Sequence, residues 1–195
     1  MIRLTRSGSC LLVAITFLGG AACQLPRPNT IPSRMIEPQL VEPAKRATSG
    51  PNAAPVRLLD TQARGHIGRR VLQQQPDGEL VEDTVWRWSS PPDRYLDTVL
   101  RLELASSLDW RLVDTASAPT LTATLLVWHI ESAGGTRLVG AIELRLTGTD
   151  HQVHTQVVRA SEPVSAELPG DLAAAAGRLL SRLASEGVTR MAGER

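Results

Sequence analysis

Apolar and polar positions alternate along residues 136–147. Leu138, Gly140, Ile142, Leu144 and Leu146 fall on one side, and Arg137, Val139, Ala141, Glu143 and Arg145 on the other. A period of two predicts an antiparallel strand with one buried face. Residues 121–131 form a second long strand run, apolar on both sides near Leu125–Trp128, and Gly134-Gly135 supplies the turn between the two. Gly148-Thr149-Asp150 turns the chain again into residues 151–160. Earlier, β-rich runs at 68–75 and 79–88 flank Pro76-Asp77-Gly78, which predicts a hairpin, while 56–60 and 110–114 are short strand candidates. Two stretches carry the helical period instead. Ser89-Ser-Pro-Pro-Asp93 offers an N-cap serine, prolines for the first turn and an acid near the positive helix end. A helix should follow to about Leu108 with Leu96, Val99, Leu100 and Leu104 on one face. After Pro169-Gly170, Asp171 caps a last helix whose inward residues are Leu172, Ala175, Ala176, Leu179, Leu180 and Leu183. The pattern predicts one α/β (α+β) domain over residues 56–192, with a mainly antiparallel sheet of about six strands and both helices on one face.

The amino terminus has a different organisation. Arg3 and Arg6 precede the nine-residue apolar run Cys10–Leu18, and Gly19-Gly-Ala-Ala22 supplies small residues before Cys23. This order reads as a secretory signal over residues 1–22, with an apolar run too short to span a bilayer. A cysteine directly after Gly20-Ala21-Ala22 looks like a lipobox, which makes Cys23 the expected lipidation site. An ordinary signal peptide cut near Ala22 is the alternative. Residues 23–55 hold seven prolines and no sustained apolar period, so they are expected to form an extended, mobile tether. At about 3.1 Å per residue its reach would be on the order of 100 Å. Whether that reach has a purpose or is only a solubilising spacer stays open.

Composition narrows the chemistry. Cys10 lies in the signal, so Cys23 is the one cysteine left after cleavage, which excludes an intramolecular disulfide and a cysteine-based metal site. Loss of residues 1–22 leaves 19 basic against 20 acidic residues, a net charge of −1. A near-neutral chain gives no electrostatic reason to bind nucleic acid. His151-x-x-His154 has a spacing that sends two strand side chains to opposite faces, and no third ligand accompanies it. His66 and His129 stand alone. Ser106, Ser107 and Ser181 lack a nucleophile elbow, and no glycine-rich phosphate loop precedes a helix. No catalytic residue, cofactor site or metal site is therefore expected. Trp86 and Trp88 share a strand face, read as core packing with an exposed aromatic platform as the alternative.

Several motifs resemble one family. Gly68-Arg-Arg-Val, Asp77-Gly-Glu-Leu and above all the tryptophan-to-helix junction Trp88-Ser-Ser-Pro-Pro-Asp-Arg-Tyr-Leu96 resemble the ABC-type transport auxiliary lipoproteins, which include the paraquat-inducible protein C type. Weaker strand patterns extend the resemblance over roughly residues 56–190. It implies a lipoprotein partner of MCE-domain proteins, which link an inner-membrane ABC transporter to the outer membrane in lipid transport. Gln24 follows Cys23, so the aspartate of inner-membrane retention is absent and outer-membrane anchoring on the periplasmic face is expected. Two other classes stand beside this one: a lipoprotein activator of a cell-wall synthase, and a periplasmic hydrolase, for which no nucleophile–base set is visible. A homo-oligomer is compatible with each binding role.

Overall fold

The computed structural model describes residues 32–41, 50, 52–165 and 169–193. Residues 1–22 and Cys23 lie outside the described residues. Eleven elements follow in order: β1 (Arg34–Ile36), β2 (Ala54–Leu58), β3 (Gln62–Ala63), β4 (Arg70–Gln74), β5 (Leu80–Trp88), α1 (Pro92–Ser106), β6 (Trp110–Leu112), β7 (Thr120–Glu131), β8 (Arg137–Thr147), β9 (Val153–Pro163) and α2 (Pro169–Ala192).

The second half is the antiparallel meander the alternation predicts. β8 pairs with β7 from Thr120↔Thr147 to Glu131↔Arg137 and with β9 from Arg137↔Pro163 to Thr147↔Val153. Gly134 and Gly135 turn between β7 and β8 at φ 77° and 113°, a left-handed conformation that a side chain would resist. The hairpin of β4 and β5 also forms.

The sheet differs from expectation in size and direction. Among the described residues it has nine strands and is mixed, not six strands and mainly antiparallel. β2, β3 and β4 line up in succession along the free edge of β7, and all three run parallel to it. β6 adds to β2 and β1 to β5, again in parallel. Alternation within a strand reports which face is buried and says nothing about which strand lies alongside.

The helices lie side by side over one face of this sheet. α1 buries Tyr95, Leu96, Val99, Leu100 and Leu104, and α2 buries Leu172, Ala175, Ala176, Leu179, Leu180 and Leu183. All of these but Ala175 share one core with Leu121, Leu125 and Trp128 of β7 and with Leu138, Ile142 and Leu144 of β8. Trp110 of β6 fixes the far end of the core by donating its Nε1–H to the Val188 carbonyl at 3.2 Å. At the centre, Trp88 ends β5 with 1% exposure and meets the Trp128 ring at 5.7 Å between centroids, tilted by 59°. The core-packing reading is therefore right for Trp88, whereas Trp86 is only half-buried.

Two local expectations change. α1 begins after Pro91 without a side-chain cap, because Ser89 stands two residues ahead of the cap position, where its hydroxyl faces Ile36 and Glu37. His151 sits outside β9, in the turn after Gly148 at φ 66°, so it and His154 do not share a strand.

Trp88→Ala should cost about 3–5 kcal/mol, since it deletes a fully buried aromatic at the centre of the core. At about 2–4 °C per kcal/mol for a domain of this size, thermal melting should fall by roughly 10 °C. A melting point unchanged within a degree or two would place Trp88 outside the core.

Candidate functional site

The segment expected to be a free tether is in part a strap across the domain. β1 joins the sheet in parallel register with Trp86, Arg87 and Trp88, and Ile36 is 3% exposed. Three residues of strand are too few to hold alone. The remaining hold comes from polar contacts at the tryptophan-to-helix junction. Ser89 donates its backbone N–H to the Ile36 carbonyl at 2.9 Å. Its hydroxyl contacts that carbonyl at 3.2 Å and also reaches the Glu37 carboxylate. The Tyr95 hydroxyl donates to Glu37 Oε2 at 2.9 Å and accepts the Ser90 N–H at 3.0 Å. Thus the family-like junction is a clamp on the incoming chain. Its serines, tyrosine and glutamate satisfy one another, and no imidazole joins them.

Further along, the strap crosses α2. Gln39 donates its N–H to the Ala173 carbonyl at 3.0 Å. The crossing is so close that a Cβ on Gly177 would stand 1.8 Å from the Gln39 carbonyl oxygen. Only glycine leaves room for that oxygen.

Beside the strap lies a cavity of about 280 Å³. Ile36, Val71, Trp86, Ile130, Val164 and Leu172 give it apolar walls, and Ser132, Thr136, Ser165 and Pro169 line it too. Its polar feature is a pair: Gln73 Nε2 donates to Asp83 Oδ2 at 2.9 Å. Asp83 Oδ1 also accepts the N–H groups of Val85 and Trp86, each at 2.8 Å. The carboxylate is thereby held in place, and the amide oxygen of Gln73 remains as an acceptor outside that pair. Arg34 of β1 lies over the Trp86 ring, 5.5 Å from its centroid.

On the sheet face away from the helices, Val139 and Ala141 are 3% and 4% exposed although they belong to the polar side of the β8 alternation. His129, opposite Val139, is buried there with its Nε2 unpartnered, and burial holds the imidazole below its ordinary pKa. Elsewhere, Asp97 of α1 accepts bonds from Arg101 at 2.8 Å and from the Thr61 N–H and hydroxyl at 3.2 and 3.1 Å. Burial pushes its carboxyl up, but these donors prevail and the net direction is downward. Among the described residues no strand pairs with the outer side of β9, where Arg190 of α2 donates to the Val157 carbonyl at 3.4 Å.

The family model for the ABC-type transport auxiliary lipoprotein component matches residues 39–186, from the strap to the last turns of α2. The chain belongs to this family. Among solved structures it is similar to a Xanthomonas campestris protein at 18% identity, with a TM-score of 0.65 over 83% of this chain and 97% of that one. A second structure, of an uncharacterized protein, has a TM-score of 0.58 at 16% identity over 84% and 98% of the two chains. At these identities the likeness shows the fold. A minor lipoprotein from Acinetobacter baumannii also matches, at 10% identity and a TM-score of 0.39 over 72% of this chain and 94% of that one. No curated protein matches the chain.

The expected site residue of this ABC transport auxiliary lipoprotein, Cys23, lies outside the described residues. The strap and the cavity were not anticipated. The signal for the strap was Met35-Ile36 between prolines, too short to read as an element.

Gly177→Ala should dislodge the strap while the rest of the domain stays folded. Limited proteolysis within residues 32–41 should speed up about tenfold, which corresponds to about 1.4 kcal/mol of local opening. Gly170→Ala, where an added Cβ meets nothing within 4 Å, is the control and should leave the rate unchanged.

Proposed function

We propose that this lipoprotein is the outer-membrane-anchored docking component of an MCE-type ABC lipid transport system, on the periplasmic side. The observation that carries the reading is the family match over residues 39–186, which begins inside the strap rather than after a free linker. A binding role accords with the rest: the side chains at the clamp hold the chain to its own domain, and a fold by itself assigns no chemistry.

The strap changes the mechanics of anchoring. With β1 fixed in the sheet, only residues 24–33 separate a lipidated Cys23 from the domain, and ten residues span at most about 35 Å. On this reading the leash is at most about 35 Å long, not on the order of 100 Å. A short leash holds a partner-binding face in a small volume and raises the effective concentration for a partner fixed in the envelope.

Cys23→Ala should abolish membrane attachment, because a diacyl thioether is the anchor this reading supplies. Fractionation with palmitate labelling checks it, and unchanged labelling would sink the lipid assignment.

Crosslinking in intact cells tests the partner. An MCE-domain protein should be captured with wild type, with a second copy of this chain as a further adduct if the role is oligomeric. Capture of a cell-wall synthase alone would overturn the transport reading.

A further inference from the structure

We propose that the cavity between β1, β4, β5, β7 and α2 is a binding site for one aliphatic chain of a membrane lipid carrying a neutral hydrogen-bonding head. The walls set the first part of this assignment. Ile36, Val71 and Leu172 are 3%, 2% and 7% exposed, and the partly buried Ile130 and Val164 extend the apolar lining. The apolar side of the lining gains by covering methylenes at about 0.8 kcal/mol each, while Gln73, Asp83, Ser132, Thr136 and Ser165 form its polar side. A volume of about 280 Å³ accommodates roughly nine groups of the size of water or methylene, at about 30 Å³ each. That is a medium chain or the end of a longer one, and it is too small for a folded peptide segment.

The polar pair selects the head. Asp83 already accepts three hydrogen bonds and lines the cavity, so a carboxylate or phosphate brought beside it meets like charge in a partly dehydrated place. Gln73 gives one of its two amide N–H groups to Asp83, and its carbonyl oxygen is placed to accept from a donor. A hydroxyl or amide head fits this arrangement and an anion does not.

Position supplies the source. The wall residue Ile36 and the ring-capping Arg34 belong to β1, and the chain ahead of Arg34 reaches Cys23 in eleven residues, a span of at most about 40 Å. The choice of a membrane lipid therefore rests on the lipid-anchor reading of Cys23, whereas the fit of an aliphatic chain does not.

The test uses the heavy-atom quenching of tryptophan. Trp86 is half-buried and lines the cavity, whereas Trp88, Trp110 and Trp128 are no more than 2% exposed and do not. The full chain with Cys23→Ser, kept in solution, is titrated with a bromine-tipped undecyl alcohol. A saturable, partial loss of fluorescence is expected. It should vanish in Trp86→Phe and weaken at least about tenfold in Val164→Phe or Thr136→Phe, either of which enlarges a lining side chain. The matching bromine-tipped carboxylate should bind at least about tenfold more weakly. Wild-type lipoprotein is then reconstituted in phosphatidylcholine vesicles whose chains are brominated midway, and Trp86 should be quenched relative to plain vesicles. Absence of saturable quenching by the alcohol, or quenching that ignores both enlarged side chains and the head charge, overturns the site whatever Cys23 carries. Quenching by the alcohol with none from vesicles to which the protein is attached overturns the membrane lipid as the source. Failure of the wild type to attach at all falls on the anchor reading and leaves the alcohol titration as the decisive measurement of the site.

Discussion

The twelve-residue strand β7 is the constraint on which the rest of this domain depends. One edge of it accepts β8 along its whole length, and the other is shared by three short strands in succession, β2 at Thr120–Leu121, β3 at Thr124–Leu125 and β4 at Ile130–Glu131. None of the three is long enough to be stable as a separate pair. They hold because β7 is paired along its other edge by β8 and buried against Trp88, α1 and α2. The chain between β3 and β4 leaves the ladder beside residues 126–129, and there the β7–β8 register shifts between Leu125 and Val127. A bulge at that point lets both Leu125 and Trp128 face the helices without a break in pairing.

The strap uses the same economy. β1 contributes three backbone positions to the sheet, and the Glu37–Ser89–Tyr95 contacts and the Gln39–Gly177 crossing hold what the short ladder cannot. The clamp also explains the start of α1. Ser89 is two residues too early to cap a helix that begins at Pro92, and its hydroxyl faces Ile36 and Glu37 instead. Pro92 has no N–H to satisfy and Arg94 donates its own to the Pro91 carbonyl at 3.0 Å, so the helix start loses little by giving the serine away.

How much of this was legible follows from range. Elements governed by near neighbours were readable: the β8 alternation, the Pro76–Gly78 hairpin, and the buried stripes of α1 and α2 from Leu96 to Leu104 and from Leu172 to Leu183 all depend on residues a few positions apart. Parallel pairing is a contact between residues tens of positions apart, such as Arg57 with Thr120, and no local period encodes it. The proline content of residues 24–55 argued for a mobile tether, yet Pro32 and Pro38 merely bracket Arg34–Ile36, and prolines at the ends of an edge strand do not disturb its pairing. The cavity was hidden for the same reason, since Ile36, Val71, Ile130 and Leu172 come from four separate elements.

Strap and cavity are thermodynamically one object, because β1 is a wall of the space beside it. Anything bound against Ile36 gains contacts only while β1 is paired, and so it must favour the docked strap over the open one by its differential affinity. Linkage makes the effect reciprocal: a pull on the leash that opens β1 weakens whatever the cavity holds by the same factor. Under the proposed anchoring and lipid site, tension along the chain ahead of Arg34 and occupancy of the cavity would be opposing loads on the three-residue ladder of β1 with β5. Glu37 and Gly177 set how large those loads must be, because the first anchors the strap to α1 and the second lets it lie flat on α2. Strengthening either contact would stiffen the domain and at the same time slow exchange at the cavity, so the marginal length of β1 is the feature that keeps the two coupled.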